Sequence, residues 1–173
     1  MIRKYSTVRL AAAAVATLGS LCFTGIGTAS ATVIPPGDSG TASLQNAATG
    51  KCIDDSNYGL RDFVCQNPTG PYAGFQQFSV TIQPDGNFVL QNAATGKCID
   101  DSSYGLRDFV CQDQSGPYAG FQQFSLMIQP DGKYVLKNAA TGKCIDDSSY
   151  GLRDFVCQDQ SGPYAGFQQF SIS

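Results

Sequence analysis

The side chains able to do chemistry in this chain are aspartate, arginine, tyrosine and cysteine, and most of them sit in one short stretch that recurs. Lys51-Cys52-Ile53-Asp54-Asp55-Ser56-Asn57-Tyr58-Gly59-Leu60-Arg61-Asp62-Phe63-Val64-Cys65 begins again, nearly unchanged, at Lys97 and at Lys143, a step of 46 residues. There is no His, and all 14 acidic residues are Asp. The serines therefore have no local base, and no nucleophile–base pair of the usual kind can be assembled. Asp54 and Asp55 are neighbours in a strand-like run, so they point to opposite faces and cannot flank one scissile bond. What remains is recognition chemistry: carboxylate acceptors, guanidinium donors and aromatic rings. Neither catalysis nor a cofactor is expected.

Something must hold these groups in place, and the cysteines say what. A bridge between Cys52 and Cys65 needs Cα atoms about 4.4 to 6.8 Å apart, which a two-stranded antiparallel hairpin supplies. If the two cysteines face each other, Ile53 faces Val64, Asp54 faces Phe63, Asp55 faces Asp62 and Ser56 faces Arg61, with the tip at Asn57 to Leu60. Alternation then puts Cys52, Asp54, Ser56, Arg61, Phe63 and Cys65 on one face and sends Ile53 and Val64 toward a core. A carboxylate beside an aromatic ring follows from the spacing. Asp55 opposite Asp62 is a like-charge pair; a calcium ion bridging them is one solution, and strands splayed into water at the tip is the preferred one.

Arg3, Lys4 and Arg9 precede an apolar run from Leu10 to Phe23, and Ala29-Ser30-Ala31 closes it. This pattern predicts a cleaved secretory signal over residues 1–31 and an extracellular product. The run is shorter than the ~20 residues of a membrane-spanning helix, so no membrane insertion is expected. Beyond the signal lie six cysteines, Cys52, Cys65, Cys98, Cys111, Cys144 and Cys157. In an exported chain, with the repeat, they favour three identical in-repeat disulfides over zinc, which would want closer cysteine pairs or His. Eight basic residues outside the signal face 14 acidic ones, a net charge near −6, with no basic cluster. Nucleic acid is an unsuitable partner for that surface.

Residues 32–39, with Pro35-Pro36-Gly37-Asp38, read as a flexible leader. Residues 40–173 read as one domain made of repeats 40–85, 86–131 and 132–173. Each repeat offers strand-like runs, one ending in Leu44-Gln45-Asn46, one over Lys51 to Asp54, one over Arg61 to Gln66 and one over Gln76 to Gln83, the last with Phe78, Val80 and Ile82 alternating with polar residues. Turns fall at Ala48-Thr49-Gly50 and at Pro84-Asp85-Gly86, and nothing in residues 40–173 looks helical. Three four-stranded units without crossover helices predict an antiparallel closed barrel.

The units resemble those of the ricin B-chain-type lectins, whose three repeats form a β-trefoil. The matching features are Cys52-Ile53-Asp54, the aromatic two places before the second cysteine, Phe63, and Gln76-Gln77-Phe78, which is similar to that family's Gln-x-Trp with Phe for Trp. The resemblance covers about Gly40 to the C-terminus. It implies a carbohydrate-binding protein in which Asp54 with Phe63, Asp100 with Phe109 and Asp146 with Phe155 accept sugar hydroxyls and stack on the sugar ring. Arg61, Arg107 and Arg153 correspond to the family's neighbouring polar residue, while Phe75, Phe121 and Phe167 stand where the family has Asn. The tip tyrosines Tyr58, Tyr104 and Tyr150, with no obvious core to join, are further ligand candidates. Tyr72, Tyr118 and Tyr164 are expected to lie over the barrel instead.

A monomer with three weak, equivalent sites, engaging a polysaccharide or glycoconjugate multivalently, is the leading expectation. Residues Asn92 to Ser125 and Asn138 to Ser171 are identical, so two of the sites are alike. A secreted protease inhibitor presenting the Gly70-Pro71-Tyr72 loops, or a structural surface protein, is the alternative.

Overall fold

In the computed structural model the described residues are 39–173; the expected signal 1–31 and residues 32–38 of the expected leader lie outside them. The described residues form strands β1 (Ser39–Ala42), β2 (Leu44–Asn46), β3 (Cys52–Ser56), β4 (Gly59–Phe63), β5 (Phe78–Ile82), β6 (Phe88–Asn92), β7 (Cys98–Ser102), β8 (Gly105–Phe109), β9 (Phe124–Ile128), β10 (Tyr134–Asn138), β11 (Cys144–Ser148), β12 (Gly151–Phe155) and β13 (Phe170–Ile172). β1 and β2 are a single edge interrupted at Ser43, which restores four strands to each repeat. One-turn 3-10 helices span Ala73–Gln76, Ala119–Phe121 and Ala165–Gln168. Gln76 and Gln77 are thus not in the strand expected to begin there.

Pairing is antiparallel throughout the described residues and closes on itself. β1 pairs with β5, β5 with β6, β6 with β9, β9 with β10, β10 with β13, and β13 returns to β2. The remaining strands form the hairpins β3–β4, β7–β8 and β11–β12, which pack against one another across one end of the barrel. This is a β-trefoil. Closure reduces the sheet edges open to other chains.

The core repeats threefold because the sequence does. Phe78, Phe124 and Phe170, Leu44, Leu90 and Leu136, and Ile53, Ile99 and Ile145 are each at most 2% exposed and form one apolar cluster. Each phenylalanine opens its strand, and in β5 Phe78, Val80 and Ile82 alternate with Ser79 and Thr81, so one face of that strand is apolar as its period demands. The disulfides Cys52–Cys65, Cys98–Cys111 and Cys144–Cys157 staple the hairpins to the loops that follow.

The hairpin register differs from the expected one. Cys52 lies opposite Phe63, Ile53 opposite Asp62, Asp54 opposite Arg61, Asp55 opposite Leu60 and Ser56 opposite Gly59. The turn decides this: the loop is only Asn57-Tyr58, and Gly59 at φ 80° takes the left-handed conformation that follows it. Cys65 then falls beyond the end of β4, where the chain bends back to bring its Cα within 5.0 Å of that of Cys52. A slip of two residues preserves parity, so the assignment of Asp54, Arg61 and Phe63 to one face stands. Val64 lies outside the strand and is 64% exposed, not in the core.

The slip also separates Asp55 from Asp62. Asp55 faces inward and is 1% exposed; neither a splayed, solvated tip nor a bridging calcium ion describes it. Its Oδ2 accepts the hydroxyl of Thr95, from the next repeat, and its Oδ1 has no partner. Asp101 with Thr141 and Asp147 with Thr49 repeat the arrangement, so three carboxylate–hydroxyl bonds join the repeats in a ring. Thr95 is brought there by Asn92, whose buried amide oxygen accepts the backbone N–H groups of Ala94 and Thr95. Asp62 instead pairs with Lys51.

These buried acids set a pH dependence. Burial drives Asp55, Asp101 and Asp147 above their ordinary 3.8; the threonine hydroxyls and Lys97, Lys143 and Lys51 pull them partly back, and nearby Asp108, Asp154 and Asp62 push them up again. The folded protein holds these protons more tightly than the unfolded chain does. Their stabilising contribution is full below 3.8 and is lost as pH rises through the raised folded values. Asp108 and Asp154 run the other way. Burial raises them, but the ammonium groups of Lys97 and Lys143 together with backbone N–H donors outweigh it and leave both below 3.8, so their contribution is lost as pH falls through the lowered values. The stability maximum is expected on the acid side of neutrality. Asp55→Asn, Asp101→Asn and Asp147→Asn should each raise stability at about pH 7 by ~1 kcal/mol, read from urea midpoints, and flatten the decline that sets in as pH rises above the ordinary carboxylate value. A lower midpoint at neutral pH would mean that the ionised carboxylates are stabilising.

Candidate functional site

On the outward face of each hairpin the strand period places Asp54, Arg61 and Phe63 together. Asp54 is only 3% exposed and lies beneath Arg61, whose Nε donates to its Oδ1 at 3.0 Å. The Oδ2 accepts a bond of 3.3 Å from the amide nitrogen of Gln76. Both oxygens of the carboxylate are therefore engaged inside the protein. Asp100 with Arg107 and Gln122, and Asp146 with Arg153 and Gln168, are arranged in the same way.

Gln76 is the organiser that composition does not reveal. Buried in the one-turn helix, it also donates to the carbonyl of Val64 at 3.0 Å, and its own oxygen accepts the N–H of Gln66 at 2.7 Å. One side chain thus fastens the end of the hairpin, the bridged loop and the site carboxylate. The only sequence signal for it is the Gln-Gln-Phe motif itself.

Above Asp54 the guanidinium of Arg61 is held between two rings, its Cζ 4.9 Å from the centroid of Tyr58 and 4.5 Å from that of Phe63. Tyr58 is 82% exposed, and its N–H bonds the hydroxyl of Ser56 at the turn. Arg107 between Tyr104 and Phe109, and Arg153 between Tyr150 and Phe155, repeat the sandwich. Tyr72 and Phe75 stand nearby as a second, nearly parallel pair with centroids 6.3 Å apart. Together with Ser56, Asn57 and Gln66 these residues line an open cleft of about 460 Å³; the equivalent cleft in the third repeat is about 430 Å³ and includes Tyr164 and Phe167. Such volumes suit a small ligand.

Two expectations change here. Tyr72 does not lie over the barrel but lines the cleft, and Phe75, at the position where Asn was implied, supplies another wall of it. Both come from the loop between β4 and β5, and only the bend of that loop over the hairpin face brings them to Arg61. Among the described residues no three His, Cys, Asp or Glu side chains converge as metal ligands.

The arrangement of repeats has counterparts. Residues 32–108 and 74–154 match the family described as ricin-type beta-trefoil lectin domain-like. The chain belongs to this family. No curated protein is similar to it in sequence. Among solved structures it resembles the Haemophilus ducreyi cytolethal distending toxin at a TM-score of 0.61 and 15% identity, covering 77% of this chain and 82% of that one. It resembles the designed threefold-symmetric protein ThreeFoil at 0.59 and 20% identity, covering 76% and 96%. It also resembles SeviL, solved with asialo-GM1 saccharide, at 0.58 and 16% identity, covering 78% and 96%. At these identities the likeness is one of fold. Membership of a lectin-like family supports carbohydrate binding in general terms; the ligand must be read from the clefts.

Proposed function

We propose that the chain is a secreted, non-enzymatic carbohydrate-binding protein that engages polysaccharides or surface glycans through three equivalent weak sites. The observation that carries this reading is the cleft beside the first and third hairpins, where exposed rings flank a polar group held by buried partners, and the same ring–guanidinium arrangement recurs in the second repeat. Aromatic faces complement the C–H faces of sugar rings, and the guanidinium supplies directional hydrogen bonds. Three disulfides favour an oxidising compartment, which agrees with export. The absence of His and Glu, and the burial of Asp54 against Arg61, support binding without catalysis.

One stacked ring and a few hydrogen bonds supply roughly 2 to 4 kcal/mol, an affinity near the millimolar level at one site. Three sites on one rigid monomer raise this on a polymer by an avidity on the order of 10². The tyrosines at the tips test the reading without threatening the fold, because they are almost fully exposed. Tyr58→Ala, Tyr104→Ala or Tyr150→Ala alone should weaken retention on an immobilised polysaccharide roughly three- to tenfold, and the triple variant should lose the avidity as well. Unaltered retention by the triple variant, or no saccharide bound by the native chain, would overturn it.

A further inference from the structure

We infer that the clefts select acidic saccharides, those carrying a carboxylate, over their neutral counterparts; this deepens, and rests on, the carbohydrate-binding reading. The carboxylate that the family resemblance offers as the sugar's hydrogen-bond acceptor is not available for that work. Asp54 is 3% exposed, with one oxygen bonded to Arg61 and the other to Gln76, and Asp100 and Asp146 are likewise occupied. The charged group that reaches the cleft is the guanidinium.

Its orientation is set from three directions. Nε is committed to Asp54, and the plane is clamped between Tyr58 and Phe63. The terminal nitrogens of Arg61 make no hydrogen bond to any other described residue, and the side chain remains 34% exposed. The free edge of the group is thus a planar, preorganised pair of donors opening into an aromatic-walled cleft. A ligand must bring the acceptors. A carboxylate matches that edge with two parallel N–H···O bonds, a match that single hydroxyls cannot make and that an ammonium could not offer in place of arginine. The negative charge of the whole domain disfavours long-range capture of polyanions, so selectivity is expressed at contact and persists in physiological salt.

The test is a binding assay of the whole secreted chain on immobilised uronic-acid and sialic-acid glycans, each paired with its methyl ester. Free acids should be retained roughly tenfold or more tightly than the esters at about 0.15 M salt. Arg61→Lys, Arg107→Lys and Arg153→Lys together keep a positive charge over each buried Asp but remove the fork, and should bring acid and ester to parity while neutral glycans are still held. Pairing each Arg→Gln with Asp→Asn at Asp54, Asp100 and Asp146 avoids stranding a buried charge and should do the same. Equal retention of acid and ester by the native chain, or an acid preference that survives in both variants, overturns this inference and leaves the carbohydrate reading intact. Retention of no saccharide in any arm overturns both.

Discussion

Converting Cys52 and Cys65 to Ala should cost about 3 kcal/mol of unfolding free energy, and removing all three bridges about three times as much. Each bridge closes a short loop, with a sequence separation of 13. A domain of this size is stable by only about 5 to 15 kcal/mol, so a loss of roughly 9 removes most of that stability or all of it. The single-bridge variants should lie within about 1 kcal/mol of one another, because the loops are equal in length and nearly identical in sequence. Urea unfolding followed by near-ultraviolet circular dichroism measures all of them. The bridge also holds the chain beyond β4 where Gln66 meets Gln76, so its loss should loosen the cleft before it unfolds the barrel. A cost below about 1 kcal/mol would mean that Gln76 and the barrel already confine the loop.

The core phenylalanines carry the second large effect. Phe124→Ala should destabilise the domain by about 3 to 5 kcal/mol, and Phe78→Ala and Phe170→Ala by similar amounts. Each ring is 0% exposed and packs in the one apolar cluster with the buried Leu and Ile of all three repeats. A closed barrel cannot collapse readily around a missing ring, so most of the cavity penalty should remain. The outcome is read from the same urea transitions, with Tyr118→Ala, 61% exposed, as a surface control that should leave the midpoint nearly unmoved. Equal midpoints for Phe124→Ala and the control would refute the assignment of that ring to the core.

Much of this architecture could be read before any coordinates, because it depends on local spacing. The 46-residue step, the paired cysteines and the alternation from Phe78 to Ile82 point to three disulfide-bonded, four-stranded units in a closed barrel. Parity placed Asp54, Arg61 and Phe63 on one face, and a register error of two residues could not disturb it. The register itself was not legible. Opposed cysteines were the simplest way to satisfy a disulfide, but the left-handed Gly59 shortens the loop and carries Cys65 past the strand end.

The sequence by itself determined the repeat, the bridges, the barrel and the chemistry available to each cleft, because those follow from residue type, period and spacing along one segment. The tertiary structure alone decided which groups line the clefts. Asp55 reads as a solvated hairpin residue until the next repeat buries it against Thr95. Tyr72 reads as a ring lying over the barrel, and Phe75 as a replacement for the family's Asn, until the chain folds them over the hairpin, and Asp54 reads as an open acceptor until Gln76, 22 residues further on, occupies its second oxygen. These placements depend on contacts between segments distant in the chain or in different repeats. No period or spacing within one segment encodes them, so the cleft's exposed charge is the arginine and not the aspartate beneath it.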